Sequence, residues 1–112
     1  MRDEAYIMLR EDYFKNKKIK KLRSMKHGDA YNLAYMYLFM EASEWGGLLL
    51  FEEAMNNLAK QLDVPLDEND NGERITAQQA IDALLSADLI ELSTDGRVLR
   101  FKKLEVLNYG RA

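Results

Sequence analysis

At 112 residues, with 47% apolar and 31% charged side chains, the chain has the size and composition of one globular domain with one core. It has no cysteine, which excludes disulfides and thiolate zinc sites, and its apolar runs are too short to cross a bilayer as helices. Met1-Arg2-Asp3-Glu4 leads into no apolar segment of the kind a signal peptide needs, so a cytoplasmic protein with no membrane partner is the default expectation.

The formal net charge of −3 hides segregation. Residues 1–40 carry nine Lys/Arg against five Asp/Glu, residues 41–96 two against thirteen, and residues 97–112 five against one. A nucleic-acid binder need not be basic overall if its cations converge on one face, and that depends on the fold.

Ala5 to Leu9 reads as an edge strand or extended arm. Asn16 is placed to cap a helix from Lys17 to about Lys26, ended by Gly28, with Ile19, Leu22 and Met25 as a thin apolar stripe. Asp29 is placed to cap the next helix, to about Glu44, stopped by Gly46-Gly47. One face of that helix is Tyr31, Ala34, Tyr35, Leu38, Ala42 and Trp45; the other is Leu33, Met36, Tyr37 and Met40. A helix apolar nearly all round is expected to be buried on two sides, as a central helix or an oligomer contact.

Leu48-Leu49-Leu50 is the body of a short strand. Glu52 and Glu53 favour a helix N-terminus, Met55, Leu58, Ala59 and Leu62 give its apolar face, and Val64-Pro65 ends it. Residues 63–73 form an acidic loop. Thr76 and Gln79 then make a T-x-x-Q capping box before Ala77, Ala80, Ile81, Leu84 and Leu85 at helical spacing. Leu89 to Leu92 and Val98 to Phe101 read as strands around an Asp95-Gly96 turn. Leu104, Val106, Leu107 and Tyr109 are an apolar tail expected to pack back on the domain. Helix, strand, helix, helix, hairpin is the order of a winged helix-turn-helix, so the expected class is α+β: one winged-helix domain over residues 1–112, with an extra N-terminal basic helix. The chain stops without a domain-ending feature, as expected for the N-terminal fragment of a longer protein.

Tyr6-Ile7-Met8-Leu9-Arg10-Glu11-Asp12-Tyr13-Phe14 and Lys18-Ile19-Lys20-Lys21-Leu22 resemble the opening of the phage replisome organizer N-terminal domain. Gly28-Asp29 before a Tyr/Leu/Met-rich helix, Gly46-Gly47-Leu48-Leu49, Ala83-Leu84-Leu85 and Leu89-Ile90-Glu91 continue the match over roughly residues 5–92. The resemblance implies a winged-helix domain of a phage or prophage replication-initiation protein, similar to DnaD-type primosomal proteins. It implies origin DNA, a second copy of the chain, and a replicative helicase or helicase loader as partners. It supplies no base-reading residues to carry over, so the contacts that follow are read from charge and fold.

Lys15, Lys17, Lys18, Lys20, Lys21, Arg23 and Lys26 put seven cations in twelve residues without interleaved carboxylates, a pattern suited to phosphates through Coulomb attraction and counterion release. The bland alternative is a solvated face. Arg97, Arg100, Lys102 and Lys103 load the hairpin, where Arg100 and Lys102 share a face and Leu99 and Phe101 take the other. The alternative there is a solubilised edge. The helix after Thr76 is expected to expose Gln78, Gln79, Asp82, Ala83 and Ser86. Gln78 has the chemistry to pair with adenine, but the face carries no cation and Asp82 repels phosphate, which favours packing over base readout.

Asp67, Asn69, Asn71 and Gly72 half-match a calcium loop whose twelfth position is Gln78 rather than Glu, so a plain loop is favoured. His27 is the single histidine and cannot anchor an ordinary zinc site. No phosphate-binding loop, dinucleotide fingerprint or nucleophile–base pair is present, and neither catalysis nor a cofactor is expected. Three functions fit: a DNA-binding domain in replication initiation, a self-association module on the same fold, and a winged-helix transcription regulator.

Overall fold

The computed structural model describes residues 5–62, 64, 75–104 and 107–111, with side chains omitted for 5–8 and 107–111. Val106 and most of the acidic loop, including its calcium half-match, lie outside the described residues.

Among the described residues the α-helices are α1 (Lys17–Arg23), α2 (Gly28–Ser43), α3 (Phe51–Gln61) and α4 (Ala77–Ser86), with a 3-10 turn at Tyr13–Lys15 before them. The strands among these residues are β1 (Ala5–Leu9), β2 (Leu48–Leu50), β3 (Ile90–Leu92), β4 (Val98–Phe101) and β5 (Leu107–Arg111). The strands β2, β4 and β3 form one antiparallel sheet in that order, with Leu49 opposite Leu99 and Glu91 opposite Arg100. This α+β arrangement, with Leu48–Leu50 joined to the hairpin, is compatible with a winged helix.

Local chemistry accounts for the boundaries. The Asn16 side chain accepts from the Lys18 and Ile19 N–H groups, at 2.9 and 3.3 Å, and starts α1. Both halves of the Thr76/Gln79 capping box are made, at 2.9 and 3.0 Å, and start α4. The hairpin closes with the Ser93 N–H on the Val98 carbonyl at 2.8 Å, and Gly96 supplies the left-handed residue at φ 75°.

α1 ends at Arg23, three residues earlier than the sequence suggests, because Ser24 to His27 form a turn that drives the chain directly into α2. Gly28 is therefore not a helix stop but the first residue of α2. A Cβ there would lie 2.3 Å from the Arg23 carbonyl oxygen, so only glycine lets the end of α1 approach so closely. Asp29 does not cap α2: His27, at φ 65°, holds that position without a side-chain cap, and Asp29 pairs with Arg23 instead.

The core gathers around α2, which packs against α1, α3, α4, β1, β2 and β5. Tyr31, Ala34, Tyr35, Leu38 and Ala42 are buried as expected, and Tyr35 stacks on Phe101 at 6.3 Å. The second face is covered only in part: Met36 and Tyr37 are half-buried, whereas Leu33 is 57% and Met40 46% exposed, and Trp45, expected on the buried face, is 65% exposed at the helix end. Too few elements surround the helix to enclose it. The arm and the tail pair with each other, β1 against β5, with Leu9 opposite Leu107.

Two buried tyrosines give a matched test. The Tyr13 hydroxyl donates to Asn32 Oδ1 at 2.7 Å, whereas the Tyr35 hydroxyl is buried without a partner among the described residues. Burial raises the pKa of both phenols. Tyr13→Phe strands a buried acceptor and is expected to cost about 1–3 kcal/mol in urea unfolding. Tyr35→Phe removes a stranded donor and is expected to be neutral or stabilising. Equal losses from both would contradict this assignment.

Candidate nucleic-acid interface

Helical geometry sorts the α1 cations. Ile19 and Leu22 face the core and are fully buried, which turns Lys17, Lys20 and Lys21 outward together at i, i+3 and i+4. These three lysines make no ion pair among the described residues. Arg23 is engaged: it bonds Asp29 at 3.1 Å and stacks its guanidinium 4.8 Å from the centre of the Phe14 ring.

Lys18 points to the side. Its Nζ lies 3.1 Å from Asp88 Oδ2, and Lys102, just after β4, bonds the other oxygen of the same carboxylate. Lys102 also lies 3.9 Å from Glu91, which pairs with Arg100. Asp88 follows α4 in a left-handed conformation at φ 63°. Its carboxyl is held below the usual aspartate range, first by the Lys102 hydrogen bond and then by that from Lys18. A lowered folded-state pKa means that the clasp's contribution is fully present above the ordinary aspartate value. It is lost only as pH falls through the lower folded value.

The two basic segments of the sequence therefore meet, but at Asp88 and not at the hairpin tip. Arg97 stands five residues from Lys102, roughly 16 Å along extended chain. It shares a groove with Glu52 and Glu53 at the start of α3. Asp95 beside it is locked into the turn by the Ser93 hydroxyl and the Arg97 N–H, and both bonds lower its pKa. The tip is thus electrically mixed, while the exposed face of α1 is purely positive.

Gln78 on α4 is half-buried and donates to Asp82 at 3.0 Å, and Gln79 is spent in the capping box. Ala83, expected on the outer face, is buried. Gln78 also stands about 12 Å along the helix axis from the α4 end that neighbours Lys18 and Lys102. Sequence reasoning missed Asp88. Its signal was an acidic residue just past a helix end, where the backbone often turns left-handed, but its lysine partners lie far away in the sequence.

Among the described residues no group of three or more His, Asp or Glu side chains is arranged to hold a metal, and no helix is long and apolar enough to cross a membrane. Comparison with protein families matches the chain to the N-terminal phage replisome organiser family over residues 6–107. No curated protein and no solved structure gives a significant match.

Proposed function

Because the chain belongs to the N-terminal phage replisome organiser family, we propose that it is a winged-helix domain of replication initiation that binds origin DNA through its phosphate backbone. In this reading α2, α3 and α4 are the three helices of the fold, β3 and β4 form the wing, and α1 is a basic addition. The observation that carries it is the unpaired face of Lys17, Lys20 and Lys21, flanked by Lys18 and Lys102. Such a face attracts phosphates without reading sequence, so it supplies affinity and position rather than specificity. Arg23, Arg100 and Arg97 are weaker contributors, since the first two are ion-paired and the third sits among carboxylates. Gln78 is the one candidate for base readout. Duplex binding measured across a series of salt concentrations tests the reading: log affinity should fall linearly with log salt, by about 0.9 for each phosphate engaged. Binding that ignores salt would contradict it.

A second reading is favoured by the uncovered apolar surface. Trp45, Leu48, Leu50 and Val98 line a cavity of about 430 Å³ on the outer side of the sheet, and Leu33 and Met40 are exposed elsewhere. Self-association would cover such residues, burying at least about 1,000 Å² in a stable interface. Sedimentation at micromolar concentration is expected to give a dimer or larger, and Trp45→Ala to shift it toward one chain. A single-chain mass throughout would leave DNA binding alone as the function.

A further inference from the structure

We propose that Asp88 is a built-in competitor for the nucleic-acid backbone: its carboxylate occupies the seat between Lys18 and Lys102 that a phosphodiester takes on binding. The inference rests on the DNA-binding reading and adds a mechanism that sets its strength.

The geometry is that of a two-cation seat. One lysine comes from α1 and the other from the segment after β4, and each takes one oxygen of the same carboxylate. A phosphodiester presents its two non-bridging oxygens in a similar fork on one atom, and lysine bonds either anion through the same charge-assisted contact. The seat is open to solvent: the Asp88 side chain is 61% exposed, against 34% for Lys18 and 24% for Lys102. Exposed ion pairs hold weakly, so an incoming polyanion meets little resistance. The outward-facing Lys21 stands beside Lys18 on α1, three residues on, so a backbone engaged there lies close to the seat.

The backbone supports the same conclusion. At φ 63° glycine is the least costly residue, and asparagine is tolerated as well as aspartate. Glycine would satisfy the turn without adding charge; the aspartate brings a carboxylate to a point where two lysines converge. The other charged groups around the seat are Glu91, 3.9 Å from Lys102, and Arg100, which pairs with Glu91. Glu91 is thus partly neutralised by its own partner, and Asp88 is the anion that both lysines share. Occupied, the seat masks two cations and lowers affinity. Vacated, it adds them to the α1 face.

Asp88→Asn in the full chain tests this, because Asn keeps the left-handed turn and removes the charge. The probe is a mixed-sequence duplex of about 20 base pairs, followed by fluorescence anisotropy from roughly 50 to 300 mM salt, conditions under which backbone contacts dominate. The variant is expected to bind about 5-fold tighter at the lowest salt, the size of one exposed charge interaction. Its log–log slope should stay close to the parent's, within about 0.9, because the same phosphate takes the seat in both complexes and only the competing carboxylate is gone. In a Lys18→Gln, Lys102→Gln background the same change should bring no gain. A gain of equal size in that background would show a general charge effect and overturn the proposal. So would a parent-like affinity for Asp88→Asn when the parent itself binds with a normal salt slope, an outcome that leaves the DNA-binding reading intact. A parent without salt-dependent binding would instead remove that reading and the proposal with it.

Nuclear magnetic resonance supplies a second readout. The Asp88 carboxyl titrates below the ordinary range in the free protein because of its two lysines. At saturating duplex it should titrate higher, having lost both partners to phosphates. A carboxyl still depressed in the complex would show the clasp closed and overturn the proposal.

Discussion

Reversing Lys17, Lys20 and Lys21 to Glu is expected to weaken duplex binding by between about 10²- and 10⁴-fold near 50 mM salt, from three lost attractions and three new repulsions of about 1 kcal/mol each. The salt slope should fall by about 2.7, and binding to unrelated sequences should weaken alike. Lys18 is left unchanged in this variant because reversing it would also disrupt Asp88. The fold should survive, since all three side chains point to solvent, away from Ile19 and Leu22. Gln78→Ala in the same assay should alter sequence preference and leave the slope alone if α4 reads bases. A triple variant that binds with parental affinity and slope would reduce α1 to a solvated face and bring the self-association reading forward.

Gly28→Ala is expected to be among the most damaging single substitutions in the chain, at about 3 kcal/mol or more in urea unfolding. The new methyl group would lie 2.3 to 2.6 Å from the Arg23 carbonyl oxygen, carbonyl carbon and Cα. These are backbone atoms, so no side chain can swing aside and α1 must move off the start of α2. Movement would uncover Ile19 and Leu22, both fully buried. Gly46→Ala is the control: it has a left-handed φ of 69° but nothing within 4 Å, and should cost only the backbone strain of roughly 1–2 kcal/mol. A loss at Gly28 no larger than that at Gly46 would show that α1 shifts to admit the methyl group at little cost.

Much of the fold was legible because its signals are local. A capping box needs two residues three apart, a hairpin a turn between two alternating runs, and both stand where Thr76, Gln79, Asp95 and Gly96 place them. The misreadings are cases where a distant contact decides. Gly28 looks like a helix stop until the closeness of Arg23 is known. Asp29 looks like a cap until Arg23 is found beside it. Ala5 to Leu9 reads as an edge strand or an extended arm, and only its distant partner β5 decides for the strand. The site divided along the same line. The outward face of α1 follows from helical period and apolar stripe, whereas the pairing of Lys18 with Asp88 and Lys102 depends on which elements the fold brings together.

The pairing of β1 with β5 also orders events in time. Leu9 is opposite Leu107, so β1 must wait for a strand made roughly a hundred residues later. The three-stranded sheet closes over shorter separations, Leu48 to Arg100 at most, and its hairpin is wholly local. Closing a loop of about a hundred residues in an otherwise unfolded chain costs several kcal/mol of entropy, and contacts of that span slow folding. Once the helices and the central sheet have drawn the two ends together, most of that cost has already been met. The β1–β5 pair is then a clasp added to a folded body, and during synthesis the segment Ala5–Leu9 has to wait for Leu107–Arg111 before this pairing can form.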